Sequence, residues 1–157
     1  MLDLIIIGSG PAGISAALTA KKRNLNFLWF GNSSLSMKIE KAERITNYPG
    51  LINVTGKQMQ SIFQHQIKNE GITLIEKRID SVYDMGSYYV ACVNEEMLET
   101  KAVIMAVGVE STKEIPVEHR LLGCGVSYCA TCDGALYKDK KIAVICINPQ
   151  FEEEVEY

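Results

Sequence analysis

The chain has 157 residues, 47% hydrophobic and 22% charged, with a formal net charge of −3. That length holds one ordinary domain, or one domain and part of a second. The acidic balance and scattered basic residues leave no surface of the kind that nucleic-acid phosphates select. The apolar opening Leu4 to Ile7 is too short to span a bilayer and carries no basic leader or cleavage site. A cytoplasmic protein, without nucleic acid or membrane as partner, is expected.

Residues 2–7 form a continuous apolar run, the pattern of a parallel strand covered on both faces. Gly8-Ser9-Gly10-Pro11-Ala12-Gly13 follows, and Pro11 suits a first helical turn. Ile14, Ala17 and Leu18 predict a helix packed closely on a sheet. Lys21, Lys22 and Arg23 complement its negative end, and Asn24 offers a left-handed stop. Phe27 to Phe30 reads as the next strand, which completes a βαβ unit. An irregular stretch runs from Gly31 to Val54. Thr55 and Gln58 then form a capping box. Met59, Ile62, Phe63 and Ile67 predict one apolar helical face, closed by Gly71. Strand-like runs follow at 72–76, 79–84 and 88–93, with another from Val103 to Val107.

Near residues 110–116 the chain passes into a second unit, which holds Cys129-Ala130-Thr131-Cys132 and an apolar strand from Ile142 to Ile147. One strand and the start of one helix cannot bury a doubly wound sheet, so this unit is expected to be incomplete. The predicted fold class is α/β. A three-layer Rossmann-like domain with a parallel sheet covers residues 1–112, and the start of an inserted α/β domain carrying the cysteine pair covers 113–157.

The glycine pattern has the chemistry of a dinucleotide cradle. Gly8 makes the tight turn, Gly10 lets backbone approach a pyrophosphate, and Gly13 lets helix and strand pack closely. The helix amino end adds free N–H groups and positive potential. An NAD site expects an acidic residue about 20 positions past the glycines. No carboxylate lies between Asn24 and Ile39, and the first is Glu40.

Five cysteines, Cys92, Cys124, Cys129, Cys132 and Cys146, make an odd set without a bridging framework. Cys129 and Cys132 at this spacing can cycle between dithiol and disulfide. One sulfur attacks a partner's disulfide and the other resolves the mixed disulfide. Asp133 follows at once and can move the accompanying proton. Two other readings compete. Cys124, Cys129 and Cys132 have a plant-type iron–sulfur spacing with Cys146 as a fourth ligand, and His119 with the same three cysteines could bind zinc. Neither explains the glycines, so no metal is expected. Cys92, Cys124 and Cys146 read as structural.

These motifs resemble the low-molecular-weight thioredoxin reductases, a branch of the FAD-dependent pyridine nucleotide–disulfide oxidoreductases. The likeness runs over nearly the whole chain. It rests on Gly8 to Gly13, on Thr46-Asn47-Tyr48-Pro49-Gly50, and on Gly125 to Gly134 with its two cysteines. The resemblance implies FAD held by Gly8, Ser9, Gly10, Pro11, Ala12 and Gly13, with Asn47 and Gly108 near the flavin. It implies Cys132 as the flavin-facing thiol, Cys129 as the exchange thiol and Asp133 as the acid. A thioredoxin-like protein is the implied substrate and a homodimer the implied assembly.

The departures bear on the donor. The family's Gly-Gly-Gln is Ser34-Leu35-Ser36-Met37-Lys38 here, and its Ala-Thr-Gly is Ala106-Val107-Gly108. Its second nucleotide fingerprint is replaced by Cys146-Ile147-Asn148-Pro149-Gln150-Phe151, with no glycine. Ile147 and Phe151 would crowd a pyrophosphate. Glu152, Glu153 and Glu154 would repel it. The chain is thus similar to the ferredoxin-dependent flavin thioredoxin reductases, which makes ferredoxin rather than NADPH the expected donor. The family folds a second FAD segment after the cysteine domain, and these 157 residues lack it. The alternative function is therefore a truncated, non-catalytic FAD-binding remnant.

Overall fold

The computed structural model describes residues 1–108, 116–127 and 134–146. The chain divides into two compact units, one of residues 1–37 with 60–110 and one of 38–59 with 111–157.

In the first unit β1 (Leu4–Ile7) lies between β2 (Phe27–Phe30) and β6 (Val103–Met105), parallel to both. Ile5 pairs with Leu28 on one side and Val103 on the other. The crossover from β1 to β2 is α1 (Pro11–Lys22). Its Gly13, Ile14, Ala17 and Ala20 are buried, and these short side chains let it touch all three parallel strands. The helix ends as expected, with Lys21 and Lys22 in the last turn and Asn24 at φ +55°.

The other face of the parallel sheet is covered by an antiparallel meander. This is β3 (Ser81–Asp84), β4 (Tyr89–Val93) and β5 (Glu96–Thr100), with β4 in the centre. Ile5 and Phe30 pack there with Ala91 and Val93, and Leu28, Val82, Leu98 and Val103 surround them. Alternation along the strands turns Ile6 and Trp29 to the opposite, α1 side. Ile5, Ile6 and Trp29 are fully buried. Each contributes about 1.5–3 kcal/mol. Helix, parallel sheet and antiparallel sheet make three layers, the α/β Rossmann-like class expected from the sequence.

Three expectations about elements change. Residues 72–76 form no strand, only a single bridge from Ile75 to Phe30. β5, whose Glu96 and Glu99 hide it from propensity, forms because Asn94 at φ +55° turns β4 back on itself. Residues 142–146 carry no strand, and Ile142, Val144 and Ile145 are exposed. A strand needs a neighbouring strand for its N–H and C=O groups, and neither sheet of the described residues includes this run.

In the second unit, Ile45 bridges Val54, and Leu51 N–H bonds Tyr48 C=O at 3.1 Å across the Tyr48-Pro49-Gly50 turn. A one-turn helix, α2 (Met37–Glu40), interrupts the stretch expected to be irregular. The capping box opens α3 (Gly56–Asn69), which belongs to the second unit up to Met59 and to the first from Gln60: Thr55 N–H donates to Gln58 Oε1 at 2.8 Å, and Gln58 N–H to Thr55 Oγ1 at 3.2 Å. Further on lie the one-turn helix α4 (Glu118–Leu121) and a 3-10 turn at Gly134–Tyr137.

The buried face of α3 is not quite the predicted one. Met59, Gln60, Phe63 and Ile67 are buried, while Ile62 is exposed. At about 100° per residue those four share one arc, and Ile62 falls outside it. Among the described residues no helix is long and apolar enough to cross a membrane.

Candidate functional site

The turn between β1 and α1 is shaped by what surrounds its glycines. Gly8 sits at φ +116°, and a Cβ there would lie 2.1 Å from Ala106 O. A Cβ on Gly13 would lie 1.9 Å from Gly8 O. Neither position admits a side chain, because backbone is the obstacle in both cases.

Gly10 is different. A Cβ there meets nothing within 4 Å, so the space beside it is open. Gly10 is the N-cap of α1, in extended conformation, and no side chain caps the helix. Pro11 has no N–H, and the next N–H groups, of Ala12 and Gly13, have no acceptor within the helix. The first turn holds no acidic residue. An open, uncapped helix end with glycine at its mouth fits an anionic phosphate group.

Two side chains hold this turn from behind. Trp29 Nε1 donates to Gly8 C=O at 2.8 Å. Buried Ser9 accepts from Asn32 N–H at 2.9 Å through its Oγ, which donates to Leu35 C=O at 2.8 Å. The turn is thus tied to the loop that follows β2. On the other side Ala106 N–H donates to Ile7 C=O at 2.7 Å, bringing the end of β6 against the turn. Gly108, two residues on, has φ +73° and open space beside it.

The fold therefore brings Gly8, Ser9, Gly10, Pro11, Ala12 and Gly13 to one place, with Ala106 against Gly8. Asn47 is an exposed residue of the second unit, just before the Tyr48-Pro49-Gly50 turn. Cys129, Cys132 and Asp133 lie outside the described residues, and so the metal readings built on that pair do as well. Cys124 and Cys146, expected to be structural, are exposed. Cys92 is half-buried on β4, between the core residues Ala91 and Val93.

Gln60 was not anticipated from the sequence as part of this region. Its signal was there: Gln60, three residues before Phe63 and seven before Ile67, is a polar residue inside an apolar helical stripe. Buried at 7% exposure, it donates from Nε2 to Ser34 C=O and Ser36 C=O at 2.7 and 2.5 Å.

A family model described as pyridine nucleotide-disulphide oxidoreductase matches residues 2–146. A thioredoxin reductase of Mycoplasma genitalium is 36% identical over 147 residues, covering 91% of this chain and 46% of the relative. Among solved structures, a ferredoxin-flavin thioredoxin reductase from Clostridium acetobutylicum is 44% identical, with a TM-score of 0.69 over 98% of this chain and 53% of that one. A thioredoxin reductase from Streptococcus pyogenes superposes with a TM-score of 0.77 at 31% identity, covering 88% of this chain and 46% of that one. The chain spans about half the length of the relatives it matches.

Proposed function

Since the chain belongs to the pyridine nucleotide-disulphide oxidoreductase family, in its low-molecular-weight thioredoxin reductase branch, we propose that it works as a flavin-dependent disulfide reductase. The enzymes of this branch are FAD-dependent flavoproteins. The observation that carries the reading is the open space at Gly10 beside an uncapped helix end, framed by two glycines that admit no side chain. Gly8 to Gly13 would hold the FAD pyrophosphate, with the α1 N–H groups as donors. Asn47 and Gly108 would lie towards the flavin.

The dithiol chemistry belongs to Cys129, Cys132 and Asp133. Cys129 thiolate attacks one sulfur of a disulfide on a thioredoxin-like protein. A mixed disulfide forms, and the released partner thiolate takes a proton from Asp133. Cys132 thiolate then attacks Cys129 Sγ, which closes the Cys129–Cys132 disulfide and frees the second partner thiol. Two electrons have left the cysteine pair and reduced the partner. Bound flavin supplies the electron pair that restores the dithiol.

Reduced ferredoxin is the proposed donor. Residues 146–151 contain no glycine where a second nucleotide would need backbone approach, and a 44%-identical structure is a ferredoxin-flavin thioredoxin reductase. A cytoplasmic homodimer, with the flavin-binding part in 1–112 and the dithiol part in 113–157, completes the proposal.

Anaerobic reduction of the FAD-loaded protein tests it, with ferredoxin, NADPH and NADH compared as donors. Ferredoxin should bleach the flavin and support disulfide reduction. Cys132→Ser should keep FAD but lose transfer to the partner. Turnover with NADPH alone would exclude the ferredoxin assignment, and protein that takes up no FAD would exclude the flavin reading altogether.

A further inference from the structure

We infer that Gln60, together with Ser9, is a positioning residue for the adenosine half of the FAD site. The inference rests on the flavin reading above and names how this chain replaces a missing carboxylate. In a dinucleotide fold the loop after the second strand faces the ribose, and an acidic side chain there usually binds the ribose hydroxyl. This chain has no carboxylate between Asn24 and Ile39. Its loop at 31–36 is instead bound by side chains from outside the loop.

Three successive carbonyls are engaged. Ser34 C=O and Ser36 C=O accept from Gln60 Nε2, and Leu35 C=O accepts from Ser9 Oγ. Both Gln60 contacts are acceptors, so its amide nitrogen must face them, and both of its N–H groups are used. Leu35 lies between these anchors at φ +57° and is buried, a backbone state that a leucine adopts only when its surroundings impose it. Asn32 Oδ1 accepts from Ser34 N–H and Oγ, both at 2.9 Å. With these oxygens occupied, the Asn32 amide N–H groups and the exposed Ser33 hydroxyl are left as donors. The loop therefore offers donors to a neutral or anionic ligand, where an NAD site would offer a carboxylate.

Ser9 makes the link to the pyrophosphate turn, because one hydroxyl holds both Asn32 N–H and Leu35 C=O. Gln60 supplies the other anchor from α3, 24 and 26 residues from its acceptors. Removing it takes the Gln60 amide from both carbonyls, Ser34 C=O keeping the Ser36 N–H at 2.7 Å, and loosens the anchor that α3 supplies to the loop.

The test is binding of FAD and of ADP, which carries only the adenosine end, to wild type, Gln60→Leu and Gln60→Glu across pH 5.5 to 8. Gln60→Leu should weaken both ligands about tenfold at every pH, the loss expected when two hydrogen bonds that hold a ligand-binding loop are removed. Gln60→Glu cannot donate as a carboxylate but can as a neutral acid. It should bind weakly at pH 8 and recover towards wild type as pH falls, which no loss of packing would mimic. Melting temperatures of the cofactor-free proteins report folding separately. Wild-type affinity for both ligands in Gln60→Leu and Gln60→Glu would overturn this inference and leave the flavin reading standing. The same loss in both variants without pH dependence would also overturn it. A folded wild type that binds neither FAD nor ADP would overturn both.

Discussion

At the scale of single residues, the three glycines of the fingerprint do different work, and substitutions should separate them. Gly10→Val places a side chain in open space, so the fold should survive while the phosphate approach is filled. Flavin absorbance should be lost with an unchanged melting temperature. Gly13→Ala drives a Cβ into the carbonyl of Gly8, and backbone cannot yield cheaply. It should destabilise the protein by about 3 kcal/mol or more, seen as a lowered melting temperature even without cofactor. A Gly13→Ala variant as stable as wild type would contradict this packing. The roles of Gly8, Gly10 and Gly13 were legible in the sequence because the motif acts over six adjacent residues. Trp29 and Gln60 were not, since their acceptors at Gly8 and at Ser34 and Ser36 lie 21 or more residues away.

Among the elements, α1 and α3 show two ways to satisfy a helix amino end. α3 closes its own with the reciprocal bonds of Thr55 and Gln58. α1 has no side-chain cap, and its N–H groups stay available to a ligand. Thr55→Ala should therefore cost about 1 kcal/mol in chemical denaturation, with the urea slope unchanged. The capping box could be read directly, because its two residues are three apart. The β-meander could be read only in part. β3 and β4 carry alternating apolar residues, whereas β5 is recruited by the turn at Asn94 and by pairing with β4. The opposite error occurred at 142–146, where apolar residues suggested a strand that the described structure does not form.

For the molecule as a whole, one ion pair gives the described structure a pH signature. Asp3 accepts from Lys101 Nζ at 2.7 Å and from Asn26 N–H at 3.0 Å. These two bonds, Lys101 first, hold its carboxyl below the ordinary value. A lowered folded-state pKa means stability that is present above the unfolded value, about 3.9, and lost as pH falls through the folded one. The pair is exposed, so the effect is small and screened by salt. Lys101→Met should lower the melting temperature slightly at pH 7, with the difference from wild type closing below about pH 4 and shrinking at high salt. An unchanged difference across that range would show that Lys101 acts through packing instead.

What the amino-acid order determined by itself was local: the glycine turn, the helix it opens, the capping box, the first parallel strands and the pattern shared with the thioredoxin reductases. Each depends on residues a few positions apart, where backbone sterics and periodicity leave little choice. Only the tertiary structure decided that the antiparallel sheet backs Ile5 and Phe30, that Trp29 holds the Gly8 carbonyl, and that a buried glutamine donates to two carbonyls of the loop after β2. Those contacts join segments distant in sequence. Their partners are selected by which faces the sheet brings together, and no local pattern records that choice.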